Sequence, residues 1–496
     1  MSFLNSSWFL YFVIFCIGII FLGYKYFTRQ FDYWKKRGVY TSKPIPFLGN
    51  LYDVVTLKLT LFELMKKLCD ETEEPYFGMF LLDKPILVVK SPKLIKDILI
   101  KDFNTFCDRS VAHITHHNNL SKFIFFQKKQ AWKYTRGKMS SIFSSTMIKT
   151  YFADIELINK KFIKYLENIS GPVDAKFVAG HFATEMIARC FFATDARCFE
   201  RDLSKFRYNV HRMFQFSLRN GFIQSFYFLK PSLVKFFKLN FLENSVMKYF
   251  EKIFLEAMEY RKQYNGKPVN MVDVVNDLQK KHSGDFPDQD LFTSNSIFLL
   301  IAGPETTSSI ISFALYELAL HPDIQGKLRN EIKDNYEMYE GFTYEGIQKN
   351  KYLDMVINET MRKYGVLAFI DRDATTDYRL EGTDLVIEKG MTVYIPLFAL
   401  MRDAKYFPNP EQFDPDRFAN KNFNSDGLVY FPFGEGPRAC MGKRLGLLAV
   451  AACLSHILLK FNIEKCEDTP DPVEFEPKSL ALQSKCGLPI KFSRLP

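Results

Sequence analysis

The sequence predicts a mainly α protein with a minor β part, set behind an N-terminal transmembrane helix. Three observations carry this. An unbroken apolar run opens the chain. Helical spacing of apolar residues dominates from about 128 to 365. Short alternating runs, the mark of strands, appear only before and after that stretch.

The opening run is Trp8 to Gly23 (WFLYFVIFCIGIIFLG), extended by Tyr24, Tyr26 and Phe27 around Lys25. It approaches the ~20 residues that span a bilayer. No basic side chain precedes it, whereas Lys25, Arg29, Lys35, Lys36 and Arg37 follow. Positive flanks stay cytoplasmic, so the amino terminus is expected in the lumen and the remainder in the cytosol. A cleaved signal peptide would want a basic start and a small-residue cleavage site, and the sequence offers neither. The segment Thr41 to Asn50 (TSKPIPFLGN) follows, and its two prolines make it a stiff elbow. The expected layout is an anchor over 1–27, a basic and Pro-containing linker over 28–50, and a single folded unit over 51–496.

Past the elbow, residues near 60–70 have helical spacing, and Phe77–Leu82 with Pro85–Lys90 read as a hairpin around Asp83-Lys84. Ser91-Pro92 is a helix start. Within the long helical stretch, Asp323–Asp334 and Leu353–Lys363 have the clearest spacing. Asp384 to Ile395 holds two alternating runs around Lys389-Gly390 and predicts a second hairpin. Asp403–Leu428, rich in Pro, Asp and Asn, predicts an ordered loop. Leu445–Leu459 predicts an apolar helix, and Leu480–Phe492 a last hairpin around Gly487.

Composition narrows the function. Hydrophobic residues are 47% of the 496, with 51 Phe against 3 Trp, enough for a large interior and an apolar lining. The net charge of +10 is spread along the chain without a long basic tract, which points to anionic lipid or an acidic protein partner rather than nucleic acid. Nine cysteines, an odd number with no CxxC pair, argue against a disulfide framework and a zinc knuckle.

The densest chemical signal is Phe431-Pro-Phe-Gly-Glu-Gly-Pro-Arg-Ala-Cys-Met-Gly442, running into a helix. Gly434 and Gly436 permit a tight turn and close approach of backbone to a flat ligand. Cys440 sits just before the helix, where amide dipoles favour a thiolate, and Arg438 adds positive charge. Phe433 is placed to cover the sulfur side of such a ligand. A lone cysteine in a turn is more often an ordinary thiol, but here Phe433, Gly436, Arg438, Cys440 and Gly442 complete a long pattern. At this point the chain resembles the cytochrome P-450 family, whose haem loop has this form.

The resemblance covers nearly the whole chain and implies the family's helical haem domain with small β-sheets. It implies haem b, with Cys440 as the protein ligand to iron. Glu359 and Arg362, three apart on a helix, would join Arg417 of Phe413-Asp-Pro-Asp-Arg-Phe418 in a structural charge network that locks the cysteine loop. Ala302-Gly-Pro-Glu-Thr-Thr307 is similar to the family's oxygen-binding groove. Ala302 and Gly303 would leave room for the cofactor, and Glu305 and Thr306 would organise water and deliver protons. Pro304 is an unusual residue there and predicts a local kink or widening. Trp132 and Arg136, on one helix face, and Arg372 would reach the haem propionates. Alone, each of these residues would be plain packing or surface. Gly365 and Val366 depart from the family, which usually has prolines there, and leave the pocket's shape open.

The implied reaction is oxygen insertion into a hydrophobic small molecule. The closest resemblance is to microsomal insect members that handle foreign compounds, which places the chain in the endoplasmic reticulum membrane. No flavin or NADPH fingerprint occurs in the chain, so electrons are expected from an NADPH-cytochrome reductase, with cytochrome b5 as a second donor. Lys128, Lys129, Lys133, Lys138, Lys443 and Arg444 form the candidate docking face. Candidate substrate contacts are Phe298, Ala302, Thr306, Val366 to Phe369 and Leu480 to Leu482, with the Phe-rich stretch Phe214 to Phe241 as pocket lining or lipid contact. A haem-thiolate isomerase or dehydratase needing no redox partner, and a non-catalytic binder of hydrophobic molecules, remain the alternatives.

Overall fold

The computed structural model describes residues 2–113, 122–200, 204–214, 223, 227, 234, 236–264, 266–281, 289–419, 422–479 and 481–496. Most of Phe214–Phe241, and Leu480, therefore lie outside the described residues. The chain forms two units. The smaller comprises Met1–Ser110, Ala368–Leu400 and Asn424–Val429, and the larger Val111–Leu367, Met401–Phe423 and Tyr430–Pro496.

The smaller unit begins with helix Ser2–Thr28. Its stretch Trp8–Thr28 is long and apolar enough to cross a membrane and is wholly unburied by the rest of the chain. The segment after it is fastened down. Arg29 pairs with the buried Asp83 at 3.0 Å, and Arg37 meets Glu388 at 2.5 Å. Trp34 is buried and lies over Gly78, where a Cβ would come within 2.2 Å of the indole. The Asn50 side chain accepts from the Phe80 N–H at 2.7 Å and donates to the Ser42 carbonyl at 3.2 Å, folding the proline elbow onto the sheet.

Helix Leu61–Asp70 starts in a full capping box between Thr60 and Glu63. Strands β1 (Tyr76–Leu81) and β2 (Lys84–Val89) form the expected hairpin, with Leu81 opposite Lys84. Helix Pro92–Lys96 follows with Pro at its first position, although the Ser91 side chain makes no capping bond.

The second expected hairpin is not formed. Of its two runs, Val386–Ile387 pairs with Tyr378–Arg379 in a separate small sheet. Thr392–Ile395 instead lies between Lys84–Val89, parallel, and Ile370–Asp373, antiparallel. Both edges of that strand are occupied, so its sequence neighbour finds another partner.

In the larger unit, helices Lys129–Met139, Ser145–Glu167, Ala175–Phe192, Lys205–Phe214, Asn244–Arg261 and Met271–Lys281 lead to a 32-residue helix, Gln289–Leu320, termed the central helix below. It is apolar enough to cross a membrane, but 67% of its most apolar window is buried, as in a core helix. Its packing is closest against Ala175–Phe192: a Cβ on Gly303 would stand 2.5 Å from Ile187 Cδ1. The helix runs through Pro304 without a break. Helices Pro322–Met338, Lys351–Lys363 and Lys443–Leu458 complete the set that positions the site.

The terminal hairpin is also replaced. Pro489–Arg494 pairs with Phe461–Lys465 and with Val173–Asp174, and Gly487 serves as a positive-φ turn beside Asp174. The strand's two long-range partners outcompete a local fold-back.

Candidate active site

Residues 431–442 form a tight loop. The Cys440 N–H donates to the Phe433 carbonyl at 2.9 Å, and the Gly434 N–H to Phe431 at 2.8 Å. Gly434 and Gly436 have φ of 70° and 75°, a backbone that residues with a Cβ rarely adopt. Gly442 then caps helix Lys443–Leu458. Cys440 is exposed, just ahead of the helix. Burial pushes its thiol up. The N–H groups of Gly442 and Lys443 and the charges of Arg136 and Lys443 pull it back. That donor set suits a sulfur anion held by a metal.

Arg136 and Arg438 brace this loop. Arg136 Nη1 donates to the Ala439 carbonyl at 2.8 Å, and burial lowers its pKa. Arg438 Nη2 donates to the Gln127 carbonyl at 2.7 Å, and its guanidinium lies 4.7 Å from the Trp132 ring. Trp132, Arg136, Arg438 and Cys440 are thus brought into one constellation. Lys443 lies 5.8 Å from the Phe433 ring. Arg372 belongs to the smaller unit, where it is buried on strand Ile370–Asp373 and donates to the Asp371 carbonyl at 2.7 Å.

The charge network closes. Arg362 donates twice to Glu359, at 2.7 and 2.8 Å, and Arg417 Nε once at 3.1 Å. The Asp414 N–H adds a fourth bond at 3.0 Å. The arginines also hold the carbonyls of Met401, Pro408 and Gln412. The route to the cysteine loop is Tyr430, whose hydroxyl donates to the Asn358 side chain at 2.8 Å, one residue before Glu359.

On the central helix, Ala302 is half-buried and Thr306 is exposed, though the residues after it are buried. Thr306 Oγ1 donates to the Ala302 carbonyl at 2.7 Å. A Cβ on Gly303 would meet Ile187 Cδ1 at 2.5 Å, so that side of the helix has room for no side chain. Glu305 is tied to a neighbouring helix. Its carboxylate meets Lys176 at 2.9 Å and accepts from Gln483 at 2.8 Å. Burial pushes its carboxyl up, but Lys176, Gln483 and Arg207 outweigh this and hold it below its ordinary range. Phe298 packs on Phe123 and Phe125 at 5.4 and 6.0 Å between ring centroids, an apolar wall. Lys176, Gln483 and Gln127 escaped the sequence reading, since no local spacing marks contacts across 129, 178 and 311 residues.

A helical unit with small sheets and an exposed cysteine at a helix start, its loop braced by arginines, defines the haem-thiolate class. A profile of the cytochrome P450 family matches residues 40–489. The chain is 35% identical to cytochrome P450 6j1 of Blattella germanica, over 95% of each chain. It is 33% identical to cytochrome P450 6k1 of the same insect, over 96% of this chain and 95% of the relative. It is 30% identical to cytochrome P450 6a2 of Drosophila melanogaster, over 96% and 97%. The chain belongs to the cytochrome P450 family. It is a monooxygenase whose cofactor is haem b.

Proposed function

We propose that Cys440 is the thiolate ligand of the haem iron, and that the enzyme oxygenates hydrophobic foreign compounds with electrons passed from NADPH by a membrane-bound reductase. The observation that supports this best is the exposed Cys440 at the helix start, with two N–H groups and two cations acting on its sulfur. The haem supplies the redox chemistry of oxygen activation when bound. This chain's residues do the rest. Trp132, Arg136 and Arg438 are candidates to hold the propionates, with Arg136 also holding the cysteine loop through Ala439, and Arg372 is a further candidate by its place in the sequence. Phe433 shields the sulfur. Ala302 and Thr306 border the groove, and the Thr306 hydroxyl holds a proton there. Glu305 supplies protons from a second position. Phe298 and its aromatic neighbours exclude water and select apolar molecules.

The proposed layout keeps residues 1–27 as anchor, 28–50 as the joining segment and 51–496 as the haem-binding domain, in the endoplasmic reticulum membrane with that domain cytosolic. Lys128, Lys129, Lys133, Lys443 and Arg444 are exposed and Lys138 half-buried, a basic face suited to an acidic donor such as the reductase or cytochrome b5. The test is NADPH oxidation in lipid vesicles with an NADPH-cytochrome reductase and a panel of steroids, fatty acids, terpenoids and plant toxins. The proposal expects oxygenated product that requires the reductase. Turnover without it would favour an isomerase or dehydratase, and binding without NADPH consumption a carrier.

A further inference from the structure

Helix Ala175–Phe192 ends on Ala193 in the left-handed region, with φ of 48°. Segment 194–200 then folds back along the helix. Its Thr194 N–H donates to the Ala188 carbonyl at 3.1 Å. Ala196 and Cys198 are buried. The Phe199 ring packs on Phe162 and Tyr165 of helix Ser145–Glu167, at 5.5 and 5.8 Å between centroids. Arg197 is a second left-handed residue, with φ of 55°. Neither is glycine, so the segment carries backbone strain that its contacts must offset.

One of those contacts is an acid. Glu185 lies in the interior of the helix and is 1% exposed. Its Oε2 accepts from the Cys198 N–H at 3.1 Å. Its Oε1 is buried and receives no N–H or hydroxyl among the described residues. What faces the carboxyl instead is Asp195, within hydrogen-bonding reach. Asp195 is exposed, and the cations go to it. Lys161 Nζ donates to it at 2.9 Å, and Arg189 Nη1 stands 3.5 Å away. The Arg197 N–H adds a bond at 2.9 Å. Arg189 is shared with Asp154 at 3.3 Å, and Arg207, on helix Lys205–Phe214, acts on the Cys198 thiol. A buried carboxylate oxygen turned toward a second carboxylate is costly unless a proton lies between them. Burial pushes the Glu185 carboxyl up, and Asp195 adds to this against the pull of the Cys198 N–H and Lys161. Burial also raises Asp195, but Lys161, Glu185 and the Arg197 N–H outweigh it and hold that carboxyl below its ordinary range.

We propose that Glu185 and Asp195 share one proton, and that this proton latches segment 194–200 onto helix Ala175–Phe192, so that the segment loosens as the pH rises. With the proton in place, Glu185 Oε1–H donates to the Asp195 carboxylate while Oε2 accepts from Cys198. When the proton passes to solvent, two carboxylates face each other inside the fold. Asp195 then swings toward the water it already reaches, and the Cys198 N–H loses its acceptor. A raised folded-state pKa gives stability that is complete below the unfolded value of ~4.3 and lost as pH rises through the folded one. Opening of the segment should therefore grow about tenfold per pH unit above ~4.3, and level off once Glu185 ionises in the closed form.

The experiment compares wild type, Glu185→Gln and Asp195→Asn, full-length and haem-loaded, from about pH 5 to 9. Glu185→Gln keeps a donor toward Asp195 and an acceptor for Cys198 but has no titrating proton. The first readout is the infrared carbonyl band of a buried protonated carboxyl, taken as wild type minus Glu185→Gln. It should be present in acid and vanish as the pH rises. Asp195→Asn should lose it at a pH lower by about one unit or more, because the second anion is gone. The second readout is amide hydrogen exchange of segment 194–200, corrected for the intrinsic pH dependence of exchange. Protection should fall about tenfold per pH unit in the wild type while the band persists, and stay level in Glu185→Gln. Equal protection profiles in these two proteins overturn the proposal, as does a wild type without the band. If Glu185→Gln does not fold, Asp195→Asn decides: a downward shift of the band's midpoint supports the shared proton, and an unchanged midpoint overturns it.

Discussion

Glu359 is fully buried and accepts four hydrogen bonds, three of them from two arginines. Replacing it by Gln keeps the shape and removes the charge, leaving Arg362 and Arg417 buried without their anion. Such a loss costs about 3–5 kcal/mol. Chemical denaturation of Glu359→Gln should show it, and a change below about 1 kcal/mol would remove the structural role. His321 offers a test by pH. A hydrogen bond to the buried Glu317 raises its pKa, against the pull of desolvation. A raised folded-state pKa contributes stability that is complete below the unfolded value of ~6.5 and lost as pH rises through the folded one. The wild type should therefore lose more stability than His321→Gln between slightly acid and alkaline pH, and equal slopes would contradict it. At this scale the cysteine loop was legible because its residues are contiguous and each type is needed. Lys176 was not, because a lysine gives no sign of which distant oxygens it will meet.

Helix packing around the central helix depends on one missing side chain. Ile187 fills the space that a Cβ at position 303 would occupy. Gly303→Ala should push Ala175–Phe192 away and cost about 1–3 kcal/mol by overpacking. Adding Ile187→Ala should recover part of the loss, a coupling readable in a double-mutant cycle. Additive losses would mean the two do not touch. The helices themselves were legible from spacing, and so was the hairpin Tyr76–Val89, whose partners are adjacent in sequence. The runs at 384–395 and 480–492 look the same locally, but Thr392–Ile395 and Pro489–Arg494 pair at longer range and Val386–Ile387 with the strand before it. Period-2 alternation says that a run is a strand and nothing about its partner.

For the molecule as a whole, the charge of +10 and the exposed lysines beside the cysteine loop predict that donor coupling is electrostatic. Reductase-supported turnover should weaken as salt shortens the Debye length below its ~10 Å at 0.1 M, and salt-independent turnover would contradict this. Removing residues 1–27 should release the protein from vesicles while leaving its haem spectrum intact, since Trp8–Thr28 is unburied by the rest of the chain. The central claim is that the sulfur of Cys440 binds the iron. Its most direct test is the carbon monoxide difference spectrum of the reduced protein, wild type against Cys440→Ser. A thiolate-type Soret band in the wild type that is absent from the serine variant is the predicted result. The same band in both proteins would contradict the account.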